Sequence, residues 1–408
     1  MPNYLSRKWF IVCALISLVG FQLIYGFLFP SVGSGGNIWE PIGALAPKFA
    51  GQSSDSFILD KIYPLVSPKY SLYTDASYYL ELGRNFSRER FDGHMFVERP
   101  LWPFLIFLSS LPLRFFGTPS YAVIFGLAIL LNFILTSAAV LLFFSLLKRT
   151  FSLKTAWLSS ILLIFSPFVH SYLNQPLTEI LMLFGVALSA FLLDNYVRKP
   201  SVSKLMLFSF IVGTLMLVKI FLAIPFFILI LSWYFRRYRE GITFLIIQSA
   251  PLLLWYTFVT QVWQINYWFY SIQKPGAGFW LLNLLRGPWQ EIYRVLLGTV
   301  PNFITVLSLS FLLLPIIFSA IGFAKLPFRS KNIIYFGPIF AVFILGLSTM
   351  FYAFRHVFLL FPIIYPTCVL GIDEVAGRLK WHKPWMAKLF YVVIIGLIIL
   401  ISNINIHQ

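Results

Sequence analysis

Charge is what this chain is short of. Asp, Glu, Lys and Arg together make up 11% of its 408 residues, against 59% hydrophobic residues. A soluble domain carries roughly 25% charged residues, so a water-soluble globule is excluded. Acids are the scarcer sign, 14 against 31 Lys and Arg, which leaves a net charge of +17. In a soluble protein that excess would suggest nucleic acid. Here several apolar runs exceed the ~18 residues that mark a membrane helix, so the excess reads as topology and no nucleic-acid partner is expected. Cysteine is nearly absent: Cys13 and Cys368 both lie in apolar runs and read as packing residues, not as a disulfide or metal pair. Missing too are the alternating segments of a barrel, a phosphate-cradling glycine loop and a serine-histidine-aspartate order. Histidines and acids are too scattered for a metal-ligand signature. The apolar run 8–29 is too long for a signal-peptide core and lacks a small-residue cleavage site, so it reads as a retained helix.

What the chain does have is helix after apolar helix, and the fold class is an all-α polytopic membrane protein. Candidate spans are 8–29, 119–147, 155–170, 178–197, 203–218, 220–235, 241–258, 301–324, 333–350, 355–372 and 385–402. Two stretches are ambiguous: 101–116 is apolar but short and carries Pro103 and Pro112, and 205–235 is long for one helix and short for two. The positive-inside rule arbitrates. With 101–116 on the outer surface and 205–235 a tight hairpin, the inner segments hold 18 of the 31 basic residues and 4 of the 14 acidic ones. Changing only one of those two choices inverts the intervening or following loops and destroys the pattern. The expectation is therefore 11 spans, with the N-terminus inside and the C-terminus outside. The large outer features are 30–118 and 259–300. In the first, 76–88 reads as a helix with Asp75 as its N-cap. In the second, "VWQINYWFY" reads as an interfacial aromatic belt. Residues 1–372 would form the catalytic transmembrane domain, followed by an inner loop and last helix over 373–408, with no sizeable soluble C-terminal domain.

The unusual polar groups all fall on the outer side of this topology. Asp75 and Arg99 lie in the first outer loop, Glu179 opens the fourth span, Lys219 sits at the tip of the 205–235 hairpin, and Arg355 and His356 open the tenth span. Acids and cations at the outer mouths of separate helices suggest one water-filled site facing an anionic, membrane-borne substrate. Each has a plainer reading. Asp is a favoured helix cap, Glu179 suits a helix N-terminus electrostatically, Arg99 can snorkel to the interface, and Arg355 with His356 can anchor a helix end. Lys219 resists such a reading: two spans of about 16 residues must sink their connecting tip, where a lysine costs up to ~3 kcal/mol unless it meets a cavity or an anion.

The block "DASYYLELGRNF…ERPLWPFLIFLSSLPLRFFG" resembles the first extracytoplasmic loop of the GT-C superfamily of membrane glycosyltransferases, in the branch of protein O-mannosyltransferases and lipid A aminoarabinose transferases. The features in common are an acid followed by a tyrosine-containing helix, a basic residue before proline, and an amphipathic stretch ending in Phe-Gly. Here these are Asp75, Tyr78 and Tyr79, Arg99-Pro100, and Phe116-Gly117. "LMLVKIFLAIPFF" is similar to the family's lysine-bearing helix junction, "PLTEILMLF" to its second-loop acidic site, and "FRHVFLLFPIIY" to its arginine-led pattern, with His356 where tyrosine is common. The chain departs from many relatives in having Ala76 after Asp75, and Val218 and Ile220 around Lys219. The resemblance implies a GT-C-like fold and a polyprenyl-phosphate-linked sugar donor. It implies Asp75 as general base, and Arg99, Lys219 and Arg355 on the donor phosphate. Tyr78, Tyr79 and His356 would bind substrate. Glu179 would orient sugar or acceptor, or help hold a divalent ion, on which family members differ. The acceptor would be a glycan, lipid or protein, and the setting a prokaryotic plasma membrane with the site facing outward.

Two other classes stand beside this one. A transporter or lipid flippase would show internal repeats and polar residues near mid-membrane; no repeat is evident. A ligase or polymerase acting on a diphosphate-linked oligosaccharide would lean on Arg286, Arg294 and His356 rather than on Asp75.

Overall fold

The computed structural model describes residues 74–91, 99–173, 175–218, 236–265, 289, 313–326, 360–379 and 384–405. Among these residues every regular element is helical. In chain order they are α1 (Thr74–Arg84), α2 (Arg88–Phe91), α3 (Leu101–Arg114), α4 (Tyr121–Thr150), α5 (Leu153–Ile164), α6 (Pro167–Leu173), α7 (Glu179–Arg198), α8 (Val202–Leu215), α9 (Tyr238–Thr257, continued by a π-helical turn Phe258–Val262), α10 (Leu313–Ala324), α11 (Phe361–Arg378) and α12 (Pro384–Asn405). Three of them, α4, α7 and α9 with its π turn, are long and apolar enough to cross a membrane, and this is a membrane protein. The first span, the segment 333–350 and most of 259–312 lie outside the described residues.

Local chemistry sets the helix starts. Ser120, Ser152 and Ser201 each sit in extended backbone and accept the N–H of the residue three positions on, capping α4, α5 and α8. The expected span 155–170 is broken in two, and Pro167 is the cause: a proline supplies no N–H to the preceding turn and its ring crowds it. The Ile164 carbonyl next to that break accepts from His170 Nε2 at 2.7 Å, which explains a histidine with no exposed surface. Thr74 and Asp75 both lie within helix α1, so Asp75 does not cap it, and the helix stops at Arg84, short of 88.

Of the two ambiguous stretches, the structure describes 101–116 in full and 205–235 as far as residue 218. Helix α3 has 14 residues, about 21 Å of rise, too short for a ~30 Å hydrocarbon core; it packs on α1 and α4. Its far end carries Phe115 and Phe116, 90% and 91% exposed, ahead of Gly117 at φ +123°. Helix α8 stops at Leu215 in the middle of its apolar run. Phe208 stacks on Phe244 at 4.9 Å, and Gly213 faces the Gln248 backbone, so α8 and α9 run parallel and the chain is back at its starting end by Tyr238. Parallel too are α4 and α7, joined near one end through Asn132 and Gln175 and near the other through Arg149 and Asp194. The pair α10 and α11 is the third case, joined by Ser319–Thr367 and then by Lys325–Glu374.

Among the described residues, every ion pair but Arg90–Glu81 lies at one end of this bundle. Arg149 and Arg198 both bind Asp194, Lys154 binds Asp373, and Lys325 and Arg378 bind Glu374. Every partner comes from a segment that parity places inside. Helix α11 runs on to Arg378, which puts Asp373 and Glu374 on its last turns, facing the start of α5 and the end of α10. Glu374 is held below the usual carboxylate range, first by its hydrogen bond from Arg378 and then by Lys325. Cys368 is a fully buried free thiol on α11, a packing residue as expected.

The α10–α11 crossing depends on two glycines. A Cβ on Gly371 would stand 1.8 Å from the Phe318 carbonyl oxygen, and one on Gly322 would stand 1.9 Å from that of Thr367. Small residues of this kind let two backbones touch. Gly371→Ala is expected to lower stability by about 1–3 kcal/mol. Gly377→Ala, on the same helix with nothing within 4 Å, should leave stability unchanged or raised by up to ~1 kcal/mol. Thermal unfolding of both variants in detergent checks this; equal midpoints would remove the tight crossing.

Candidate active site

The end opposite the ion pairs is built from three chain segments that the sequence singled out for separate reasons. Arg99 and Pro100 lead into α3. The next residue, Leu101, donates its backbone N–H to the Leu217 carbonyl at 3.2 Å, just past the end of α8 and two positions before Lys219. Trp102, with no exposed surface, donates its indole N–H to the Pro176 carbonyl at 3.0 Å, three positions before Glu179. The stretch that opens α3 thus ties together the approach to Glu179 and the approach to Lys219. Arg99 is half-buried beside this junction.

The 175–178 connection before α7 is unusual for a loop. Connections normally run over the surface, yet Gln175, Leu177 and Thr178 are each at most 2% exposed. Asn132, a fully buried amide in the middle of α4, holds the segment that leads into it. Its Nδ2 donates to the carbonyls of Gln175 at 2.7 Å, Leu173 at 3.2 Å and Tyr172 at 3.4 Å. One side chain therefore satisfies backbone acceptors left over where α6 ends. Glu179 begins α7 and is 2% exposed. Carboxylates are almost never buried to that extent unless paired, which separates Glu179 from a solvent-facing acid that merely suits a helix start.

The first outer loop packs over this floor. On α1, Tyr79 is buried and Tyr78 half-buried, and Ala76, Leu80 and Leu82 are buried with them. Ile106 of α3 lies so close to Gly83 that a Cβ there would meet it at 2.6 Å. Two arginines hold the far side: Arg84 Nε donates to the Pro119 carbonyl at 3.1 Å and its guanidinium lies 4.2 Å from the Tyr121 ring centre, while Arg114 donates to the Arg84 carbonyl. Burial, and then the neighbouring charge of Arg84, lowers the Arg114 pKa from its ordinary value. Arg90 pairs with Glu81, joining α2 back to α1. Of the remaining candidates, the backbone of Asp75 is described and its side chain is not, and Lys219, Arg355, His356, Arg286 and Arg294 lie outside the described residues.

Sequence reasoning missed an aromatic cluster beside this junction. Phe86 and Phe91 from the first outer loop meet Phe104 and Phe107 of α3 and Trp255 and Trp263 from the end of α9. Ring centres are 4.9 Å apart for Phe86–Phe91, 5.3 Å for Phe86–Phe104, 5.4 Å for Phe91–Trp263 and 5.5 Å for Trp255–Trp263. The π turn at Phe258–Val262 is what brings Trp255 and Trp263 to one face. Trp263 belongs to the stretch expected to form an interfacial belt; it packs against protein as well. The available signal was the spacing of Phe86, Phe91, Phe104 and Phe107 around Arg99, which aromatic abundance masked (the chain has 45 Phe). Among the described residues no three His, Cys, Asp or Glu side chains gather as metal ligands.

No family model matches the chain, and no curated protein does. Among solved structures it is similar to the crystal structure of ArnT from Cupriavidus metallidurans bound to undecaprenyl phosphate. The TM-score is 0.47 at 13% identity, over 82% of this chain and 71% of that one. At that similarity this chain's own residues have to carry the functional assignment.

Asn132 is the residue on which the buried connection rests. Asn132→Leu is expected to cost about 1–3 kcal/mol, because it removes the donor from three buried carbonyls. Ser137→Ala, one turn on and bonded only to the Phe133 carbonyl of its own helix, should change stability by less than about 0.5 kcal/mol. Thermal melts of the two variants compare them directly; an Asn132→Leu melt at the parent temperature would show that the amide does not hold the connection.

Proposed function

We propose that this chain is a GT-C-like membrane glycosyltransferase that moves a sugar from a polyprenyl-phosphate donor to an acceptor hydroxyl on the extracytoplasmic face. The single observation that carries the proposal is the junction at the start of α3. There the Arg99-Pro100 corner of the first loop is bonded to the segments that lead to Lys219 and to Glu179, at the end away from the ion-paired loops. The backbone leading on from Arg99 and the approach to Glu179 thereby meet at one end of an apolar bundle, with Lys219 two positions beyond Leu217 in the sequence, and a lipid-borne phosphate would present itself there.

In this mechanism Asp75 accepts the proton of the acceptor hydroxyl as that oxygen attacks the anomeric carbon. The new carbon–oxygen bond forms as the bond from that carbon to the phosphate oxygen breaks, with inversion, and polyprenyl phosphate leaves with the electron pair. A positioned base contributes ~10²–10⁴-fold. Arg99, Lys219 and Arg355 stabilise the charge that develops on the phosphate, a preorganised electrostatic role. A phosphate departs readily as an anion, so no general acid is required. Glu179 orients the sugar or acceptor, Tyr78, Tyr79 and His356 line the substrate's path, and no step is routed through a metal. Glycan, lipid and protein acceptors all supply the hydroxyl this chemistry needs.

The test is turnover and binding with a panel of polyprenyl-phosphate sugars, wild type beside Asp75→Asn. Transfer is expected to fall by ~10²–10⁴-fold while donor binding persists; normal turnover in the variant would remove Asp75 as base. Lys219→Ala should raise the apparent KM for donor by roughly tenfold or more, the size of a lost charge-assisted hydrogen bond, with a smaller change in kcat. An unchanged KM would remove Lys219 from the phosphate. Well-folded protein that binds none of the monophosphate donors would overturn the assignment.

A further inference from the structure

A second cation-lined site lies at the other end of the molecule, among the ion pairs. A cavity of about 470 Å³ opens there between α4, α7 and α8, lined by Arg149, Leu192, Asn195, Arg198, Lys199, Lys204 and Leu207. Four of those residues are cations and none is an acid. The volume falls within the roughly 300–1,000 Å³ of small-molecule sites. We propose that this cavity binds a phosphate group, carried by an anionic lipid headgroup or by a free phosphate ligand, independently of the proposed donor site.

The arrangement is more than a basic loop. Asp194, 4% exposed, anchors two guanidiniums at once. Arg149 Nη1 donates to its Oδ2 at 3.0 Å and to Asn195 Oδ1 at 2.9 Å, and Arg198 Nε donates to both carboxylate oxygens at 2.8 and 2.9 Å. One carboxylate fixes two arginines and neutralises one charge, so the lining keeps a clear positive excess. Lys204 Nζ donates to the Lys199 carbonyl at 2.7 Å, which draws its ammonium over the α7–α8 turn. Arginines held in place present a rigid fork of N–H donors suited to phosphate oxygens. The positive-inside rule accounts for basic residues at this end; it does not ask for them to surround a cavity or for a buried acid to hold two of them. The surroundings suit a lipid. Leu207 is 53% exposed at the wall, and Met206 and Phe210 on the same helix are 51% and 53% exposed, so an acyl chain has an apolar face beside the headgroup. Basic pockets between membrane helices on the cytoplasmic side bind anionic headgroups in this way.

The test is thermal stability of the full chain in detergent and in phosphatidylcholine nanodiscs, titrated with phosphatidylglycerol or with inorganic phosphate. Lys199→Gln with Lys204→Gln is compared with Arg239→Gln with Lys388→Gln. The second pair removes the same charge from exposed positions that parity places at the same end, outside the cavity. A saturable rise in melting temperature with phosphatidylglycerol is expected in wild type. Its midpoint should weaken by about 30-fold in the cavity pair, from ~1 kcal/mol for each lysine, and by much less in the control pair. A cavity-dependent rise with inorganic phosphate alone assigns the site to a free phosphate ligand, and one seen only with lipid assigns it to a headgroup. Equal weakening in both pairs, or no saturable response to either phosphate source, overturns the proposal. None of these readings involves sugar transfer, so failure here leaves the donor assignment standing, and the reverse holds as well.

Discussion

Where a helix stops inside an apolar surround, its last carbonyls cannot turn to water and must find donors within the protein. Much of this molecule follows from that constraint. Helix α6 ends short, and the Asn132 amide meets three of the acceptors around its end. Pro167 breaks the preceding helix, and His170 meets the Ile164 carbonyl. Just beyond the end of α8, the Leu217 carbonyl takes the first N–H of α3. The Pro176 carbonyl takes the Trp102 indole. Each bond repairs a break, and together they draw the first loop, the 175–178 connection and the end of α8 to a common point. The candidate site is assembled by the same bonds that close the helix ends.

The two ends of the bundle carry different numbers of ion pairs among the described residues. At the end assigned inside, cations and acids pair: two arginines on Asp194, Lys154 on Asp373, and Lys325 and Arg378 on Glu374. The exposed pairs among them, on Asp373 and Glu374, contribute about 0–1 kcal/mol each, whereas Asp194 is buried and holds Arg149 of α4 against α7. At the far end Arg90 pairs with Glu81, and Glu179 is buried. A buried acid at a helix start adds nothing to orientation in the bilayer and little to register. The Trp102–Pro176 bond ties the segment that leads to it to the start of α3, and the proposed function gives it a substrate to orient.

The fold was legible in the sequence to the extent that charge parity could be read. The three parallel helix pairs accord with counting Lys and Arg in loops, because membrane insertion sorts those residues regardless of side-chain packing. Helix breaks were less legible. The span read over 155–170 hid the break at Pro167, since hydropathy averages over a window and a proline inside it weighs little. The N-cap assigned to Asp75 failed for a related reason. Asp is favoured as a helix cap, yet Thr74 and Asp75 both lie inside α1, because a favoured cap residue does not by itself keep the helix from including it. The aromatic cluster was illegible because it is made of residues far apart in sequence and of a type the chain uses everywhere.

That cluster bears on how the first loop works. Phe86 and Phe91 stand on a short, polar, arginine-rich segment that has little apolar surface of its own. They are fixed by Phe104, Phe107, Trp255 and Trp263, which come from two other helices. Aromatic pairs in such geometry add about 0.5–1.5 kcal/mol each beyond the area they bury, enough to seat a loop whose backbone alone would not stay ordered. The π turn at the end of α9 shifts the helix register by one residue, a device often found at functional sites, and here it sets Trp255 and Trp263 against the loop. Seating the loop in this way supports the packing of α1 on α3, the helix that begins at the Arg99-Pro100 corner. In the proposed mechanism, a base and its counter-charges drawn from different segments can act together only if such a seat holds them in register. The rings that look like ordinary membrane packing therefore serve as the frame of the site.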